Sequence, residues 1–198
     1  MESEIAAIAN EAMLREGAHD RSFPTIVNAG PRSGLKHSYP TSRKLRRGDM
    51  VYLDMGAVKY GYQSDMSRTV VIGGANDVQR EVLDVVEEAF TSLTRIMRPG
   101  VRTSRILAKG EEIARSSGLR EKYRGRIYLG LAVHHALATS FFEIPSLGLP
   151  EATLRKNMSF AFEPMAHILD FGTAVIENCI LITESGWESL TPFEIVHW

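Results

Sequence analysis

Residues 50–74 read MVYLDMGAVKYGYQSDMSRTVVIGG. Two β-rich runs, Met50 to Met55 and Gln63 to Ile72, flank a glycine-bearing link from Gly56 to Tyr62, and Gly73-Gly74 ends the second run. Apolar and β-branched runs bounded by turn residues read as a hairpin, here a long one. Each run carries one aspartate, Asp54 and Asp65, eleven positions apart. Both face one side if the turn register allows it. An aspartate in an apolar strand is expensive to bury unless a cation or hydrogen bonds offset its charge. For this pair alone, the plainer reading is a turn-capping Asp54 and a surface Asp65 paired with Arg68.

The pattern occurs again further along. Met158 to Met165 and Thr173 to Thr183 form a second hairpin-like pair, carrying Glu163 in Phe160-Ala161-Phe162-Glu163-Pro164 and Glu177 in Val175-Ile176-Glu177-Asn178-Cys179-Ile180, fourteen positions apart. Four carboxylates in apolar strand contexts are hard to assign to the surface. Converging in low dielectric they repel one another, and divalent cations are the usual remedy. The strand-like run Ile127 to Val133 leads into His134-His135. A lone histidine is more often structural, but one beside four buried carboxylates reads as a ligand. Oxygen-rich ligands with one imidazole suit a pair of divalent ions such as Mn, Co, Fe or Zn, and suit neither copper nor an iron–sulfur cluster.

Around these pairs the chain alternates helices and loops. Ser3 to Gly17 reads as an amphipathic helix with Ser3 as N-cap and Ile5, Ile8, Ala9, Ala12 and Met13 on one face. An extended stretch, Phe23 to Val27, precedes a Gly/Pro/Ser-rich loop from Asn28 to Ser42 that carries His37 and Tyr39. Asp77 to Met97 is a long helix stopped by Pro99-Gly100, and Thr103 to Ser116 is another, ending at Gly118. Helix, loop and paired strands thus occur twice, as in a duplicated unit. The expectation is one domain over residues 1–198, with halves of about 1–76 and 77–198.

Composition narrows the function classes. With 198 residues and 44% hydrophobic content, the chain has ample material for a core. The 23 basic and 24 acidic residues leave a net charge of −1, without the basic excess of a nucleic-acid binder. The basic runs Arg43 to Arg47 and Arg120 to Arg126 read as solvated surface. A single cysteine, Cys179, excludes an internal disulfide framework and a cysteine zinc cage. No apolar run approaches the ~18 residues of a membrane span, and the acidic Met1-Glu2-Ser3-Glu4 is unlike a secretory signal. The expectation is a soluble cytoplasmic protein with neither nucleic-acid nor membrane partners.

The ordered set Asp54, Asp65, His135, Glu163-Pro164 and Glu177 resembles the pita-bread metallopeptidases, which include methionine aminopeptidases, Xaa-Pro aminopeptidases and prolidases. Flanking residues match too: Gly48-Asp49, Tyr60-Gly61-Tyr62, Ser64-Asp65-x-x-Arg68-Thr69, Arg98-Pro99-Gly100 and Thr183-Glu184-x-Gly186. The resemblance runs from about Ser3 to Pro192 and looks closest to the prolidase branch. It implies an α+β pita-bread fold with a curved, mainly antiparallel sheet backed by helices and pseudo-twofold halves. It also implies that the N-terminal creatinase-type domain and the first helix of the first half are absent. An apolar surface left by that helix needs a cover, so a homodimer is expected.

The resemblance further implies two divalent ions, with Asp54 chelating one, His135 and Glu163 holding the other, and Asp65 and Glu177 bridging. Such ions lower the pKa of bound water to roughly 7, and the resulting hydroxide attacks the scissile carbonyl, with Glu163 as proton acceptor. His37 matches a histidine that contacts substrate, and Tyr39 and His134 are expected near it.

Departures from the family pattern are equally visible. His135-Ala136-Leu137-Ala138 stands where His-Gly-x-Gly is usual, and Phe142, before Glu143, replaces a second histidine. Losing such a donor typically costs about 2.7–4 kcal/mol of transition-state stabilisation. Val175 replaces an arginine of the prolidases, and Asn178 an aspartate. The expectation is a dinuclear hydrolase of a small peptide or small amide-like molecule with altered specificity, His134, His167 or a tyrosine supplying a compensating donor. The alternatives are a lyase or hydrolase of a small metabolite on the same metal scaffold, or an inactive binding module. The last predicts eroded ligands, which this chain does not show.

Overall fold

The computed structural model describes residues 1–35, 38–123, 127–136, 152–169 and 171–195, with backbone alone for 127–136 apart from Leu129. His37 and Phe142 lie outside the described residues, and His134 and His135 enter as backbone only.

Helix α1 spans Glu2–Arg15, so Ser3 lies inside it and Met1 is the N-cap. The first-turn amides find their partners in a distant loop. Glu2 and Ser3 donate their amides to the carbonyls of Arg43 and Thr41, which removes the need for a side-chain cap. The Glu2 carboxylate is fully buried and accepts from the Ala29 amide at 2.9 Å, the Thr41 amide at 3.0 Å and the Thr41 hydroxyl at 2.6 Å. Burial pushes Glu2 up, but these donors and Arg32 outweigh it and hold the group below the usual carboxylate value. The helix face turned inward is Glu2 and Ala6, while Ile8 is 66% exposed and Ala12 is exposed, so the apolar face is narrower than expected.

Strands β1 (Asp20–Arg21) and β2 (Ile26–Ala29) follow, then a 3-10 turn over Gly30–Gly34. The next four strands are β3 (Met50–Met55), β4 (Ala57–Lys59), β5 (Tyr62–Gln63) and β6 (Met66–Val71). The link inside the expected hairpin is itself paired, Lys59 opposite Tyr62. Tyr60 (φ 51°) and Gly61 (φ 85°) make its two-residue turn, the left-handed geometry that matches strand twist. At Gly56 a Cβ would lie 2.0 Å from the Ser64 carbonyl oxygen, so the chain leaves β3 through a gap only glycine fits. β2, β3 and β6 form an antiparallel sheet with β3 in the middle, while β1, β4 and β5 form a small separate one.

Helix α2 spans Asp77–Arg95, opening on a capping box in which Asn76 and Gln79 exchange side-chain-to-amide bonds. Its apolar stripe buries Val82, Leu83, Val86, Phe90 and Leu93. Helices α3 (Thr103–Ser116) and α4 (Leu119–Lys122) precede β7 (Ile127–Ala136), β8 (Ser159–Ile168), β9 (Gly172–Val175), β10 (Asn178–Ile182) and β11 (Trp187–Ser189). These strands form the second antiparallel sheet in the order β11-β10-β8-β7, with β9 paired to the far end of β8. No helix among the described residues is long and apolar enough to cross a membrane.

The element order repeats. α1 leads into β2, β3 and β6 with β3 central, and α3 leads into β7, β8 and β10 with β8 central. Asp54 and Glu163 sit on the two central strands, and Asp65 and Glu177 each directly precede the third strand of their set.

The main core lies between α2 and the second sheet, where the Phe90 ring meets Phe162 at 5.8 Å and Trp187 edge-on at 6.4 Å. Phe90→Ala is expected to destabilise by about 3–5 kcal/mol, lowering Tm by about 10 °C in thermal denaturation. Ile8→Ala, on the exposed side of α1, is expected to stay within about 0.5 kcal/mol of wild type.

Candidate functional site

The two sheets meet where the strand formed by β9 and β10 breaks. At the break, Ile176 keeps one bond to β8, its amide donating to the Pro164 carbonyl at 3.4 Å, and makes an isolated antiparallel bridge with Arg68 of β6. The Glu177 amide donates to the Ser67 carbonyl at 3.0 Å. Thr69 extends the seam, its hydroxyl accepting from the Val175 amide at 3.0 Å and donating to the Thr173 carbonyl at 2.9 Å. The register Asp54 opposite Ser67 and Met55 opposite Met66 leaves Asp65 one residue beyond the β3–β6 ladder.

This junction brings the acidic groups together. Asp54, Asp65 and Glu177 are all buried, and each offers an oxygen within 4.8 Å of the others. Glu163 is buried beside them, reached by the Tyr52 hydroxyl, which donates to Asp54 Oδ2 at 2.7 Å and lies 3.4 Å from Glu163 Oε1. Ser67 donates its hydroxyl to Glu177 Oε2 at 2.6 Å. Asp54 Oδ1 and Asp65 Oδ1 are buried without a hydrogen-bond partner among the described residues.

Burial raises the Asp54 carboxyl to about 6, helped by the charge of Glu163 and only partly countered by the Tyr52 hydroxyl. Asp65 is pushed well above the usual range by burial and then by Asp54 and Glu163, and Glu177 by burial and then by Asp65, Glu163 and Asp54. The Tyr52 hydroxyl is driven far up by burial and its acidic neighbours, so it remains a donor. Two orphaned carboxylate oxygens in an all-oxygen cluster fit a hard or borderline divalent cation.

Arg68 does not form the surface pair with Asp65. It is buried, and donates from Nη1 to the carbonyls of Ser67 at 2.8 Å and Glu177 at 2.6 Å, and from Nη2 to Asn178 Oδ1 at 2.7 Å and the Phe193 carbonyl at 3.1 Å. Asn178 accepts this bond without bringing another charge.

His135 is the extra residue of a register shift in β7, between His134 opposite Ala161 and Ala136 opposite Phe160. Bulges of this kind are over-represented next to active sites. Tyr39 is described and 72% exposed. Val175 is fully buried in a small apolar cluster with Ile26, Tyr52 and Met165. His167 lies four positions beyond Glu163 on β8, bonded through Nδ1 to Thr173 Oγ1 at 3.0 Å. Its ring fills the space over Gly34, where a Cβ would lie 2.1 Å from Cε1. Sequence reasoning missed Tyr52, Ser67 and Cys179 as parts of the site. Each stands two residues from Asp54, Asp65 or Glu177, and the two-residue period of an extended chain was the available signal.

The three raised carboxyls set the sign of the cluster's own pH effect on the metal-free chain, which outweighs the opposite contribution of the single imidazole of His167, lowered by burial. Carboxyls that hold their protons more tightly folded than unfolded cost stability as pH rises above their unfolded values near 4. In chelator, thermal stability is therefore expected to fall from pH 5 to pH 8. Asp54→Asn is expected to recover about 1–3 kcal/mol at pH 8 and less at pH 5. A wild-type melting temperature flat across that window, with no gain in the variant, would contradict this account of the cluster.

The sequence profile of metallopeptidase family M24 matches residues 1–184 of the 198. The Xaa-Pro dipeptidase of Pyrococcus furiosus is 32% identical over 194 residues, covering 98% of this chain and 54% of that protein. Among solved structures, the prolidase from Pyrococcus horikoshii OT3 is similar with a TM-score of 0.86 at 32% identity, over 98% of this chain and 55% of that one. The X-Pro aminopeptidase from Thermotoga maritima MSB8 gives 0.85 at 30% identity, over 98% and 54%. The chain thus spans about half the length of the relatives it matches, and its antiparallel sheets and covering helices have the pita-bread fold of these neighbours. By its sequence profile and its fold alike, the chain belongs to metallopeptidase family M24.

Proposed function

We propose that the chain is a prolidase-like, metal-dependent hydrolase acting on a short peptide or small amide-like molecule, with two divalent ions held by Asp54, Asp65, His135, Glu163 and Glu177. The observation that carries this reading is the convergence of Asp54, Asp65 and Glu177, buried, with oxygens within 4.8 Å of one another. The Xaa-Pro dipeptidases and prolidases among its relatives support the reaction class. Oxygen ligands with one imidazole suit Mn, Co, Fe or Zn. A divalent ion held by these residues would supply Lewis-acid polarisation of the scissile carbonyl and a water of pKa about 7.

The remaining roles belong to the chain. Glu163 receives a proton at a carboxylate oxygen, close to the site and steadied by the Tyr52 hydroxyl 3.4 Å from Oε1. Tyr52 also orients Asp54 through its 2.7 Å bond to Oδ2. His37, Tyr39 and His134 are assigned to substrate binding. Val175, fully buried and apolar, offers no cation to a substrate carboxylate, and Phe142 offers no donor to the reacting carbonyl. Both substitutions favour a substrate other than an ordinary Xaa-Pro dipeptide, and Val175 thereby favours the second reading, a small metabolite handled on the same scaffold.

Asp65→Ala and Glu177→Ala are expected to abolish divalent-ion uptake, measured by calorimetry with Mn, and with it turnover. Against Xaa-Pro dipeptides, Met-peptides and small N-acyl or sulfonium metabolites, with Mn, Co or Fe, wild type is expected to show weak Xaa-Pro cleavage that Phe142→His increases. Strong wild-type cleavage untouched by Phe142→His would remove that position from the specificity account. Turnover of a non-peptide alone would select the second reading.

A further inference from the structure

Across the seam, each half braces the other half's acidic segment through the residue two positions beyond its own carboxylate. Ser67, two after Asp65, donates to Glu177 Oε2 at 2.6 Å. Cys179, two after Glu177, accepts the Asp65 amide on Sγ at 3.2 Å and donates its thiol to the Asp65 carbonyl at 3.0 Å. We propose that Cys179 is a positioning residue whose thiol, by holding both ends of the Asp65 residue's backbone, aims the Asp65 carboxylate into the cluster. The proposal rests on reading that cluster as a metal centre.

Asp65 stands just outside the β3–β6 ladder. Its buried N–H and C=O need partners that the first sheet does not provide. The thiol supplies one of each, and its own residue is anchored from behind. The Cys179 amide donates to Thr191 Oγ1 at 3.0 Å, and the Cys179 carbonyl accepts from the Leu190 amide at 2.8 Å. Restraint therefore passes from residues 190–191 through Cys179 to Asp65. Cys179 is buried with both hydrogen-bonding roles of its sulfur in use, which suits a fixed brace and leaves no reactive thiol.

The test compares Cys179→Ser, which keeps a donor and an acceptor on a shorter bond, with Cys179→Val, which keeps approximate volume and removes both. Mn affinity is measured by calorimetry alongside the melting temperature. Groups that hold a ligand in place typically change metal affinity by about 10–100-fold when lost, so Cys179→Val is expected to bind Mn at least about ten-fold more weakly and Cys179→Ser within a few-fold of wild type. A valine variant that melts lower but binds Mn as wild type does would show a purely structural role and overturn the proposal. Cys179→Ala, judged by the same criterion, replaces valine if that variant does not fold. Failure of wild type to take up any Mn would instead overturn the metal reading, and this proposal with it.

Discussion

Four carboxylates buried at the seam between two sheets set the terms for the rest of the structure. Asp54, Asp65 and Glu177 are costly to ionise out of water, and proximity makes each of these three costlier still, as their raised values record. Among the described residues, no cationic side chain forms an ion pair with Asp54, Asp65 or Glu177. Arg68, buried nearby, donates its hydrogen bonds to carbonyls and to Asn178. The hydroxyls of Tyr52 and Ser67 reach the oxygens of Asp54 and Glu177. Neutral donors orient the carboxylates without neutralising them, which leaves the electrostatic deficit for a cation to fill.

The repeated topology makes such a cluster possible. The carboxylates on the central strands are placed by the sheets: Asp54 lies in register with both neighbouring strands, and Glu163 with β7 on one edge, its other edge facing the break between β9 and β10. The other carboxylate of each half precedes the third strand, beyond the ladder, and depends on bonds from the opposite half. Ser67 and Cys179 supply those bonds, and the break between β9 and β10 frees the Glu177 amide to reach Ser67. Sites built on strands and fixed by supporting hydrogen bonds hold the tighter geometry that metal chemistry demands. Replacing one half's brace should therefore be felt in the other half's carboxylate.

This arrangement also sets stability against function. A chain optimised for the metal-free fold would carry amides or apolar residues at these positions, since unpaired buried charge is destabilising. The main core, built on α2 with Phe90, Phe162 and Trp187, packs against the same strands that carry Glu163 and flank Glu177, and its burial offsets the strain at the seam. The small apolar cluster of Ile26, Tyr52, Met165 and Val175 draws on both sheets and keeps the seam dry beside the acidic groups.

Much of this was legible along the chain. The pairs Asp54/Asp65 and Glu163/Glu177 stood out because a carboxylate in an apolar, β-branched run needs a reason, and α2 declared itself through its 3.6-residue period. Such features are local, set by propensity, turn chemistry and periodicity, so the sequence by itself determined them. It did not determine partners. Arg68 reads locally as the mate of Asp65, yet it bonds the Glu177 carbonyl and Asn178, more than a hundred residues away. Helix α1 starts at Glu2 rather than with Ser3 as its cap, because Thr41 and Arg43 satisfy its first amides. The strand break at Ile176 and the burial of Asp65 arise only where two sheets meet. A strand's period says which side a residue faces, whereas what lies on that side is decided by the packing of segments that share no local pattern.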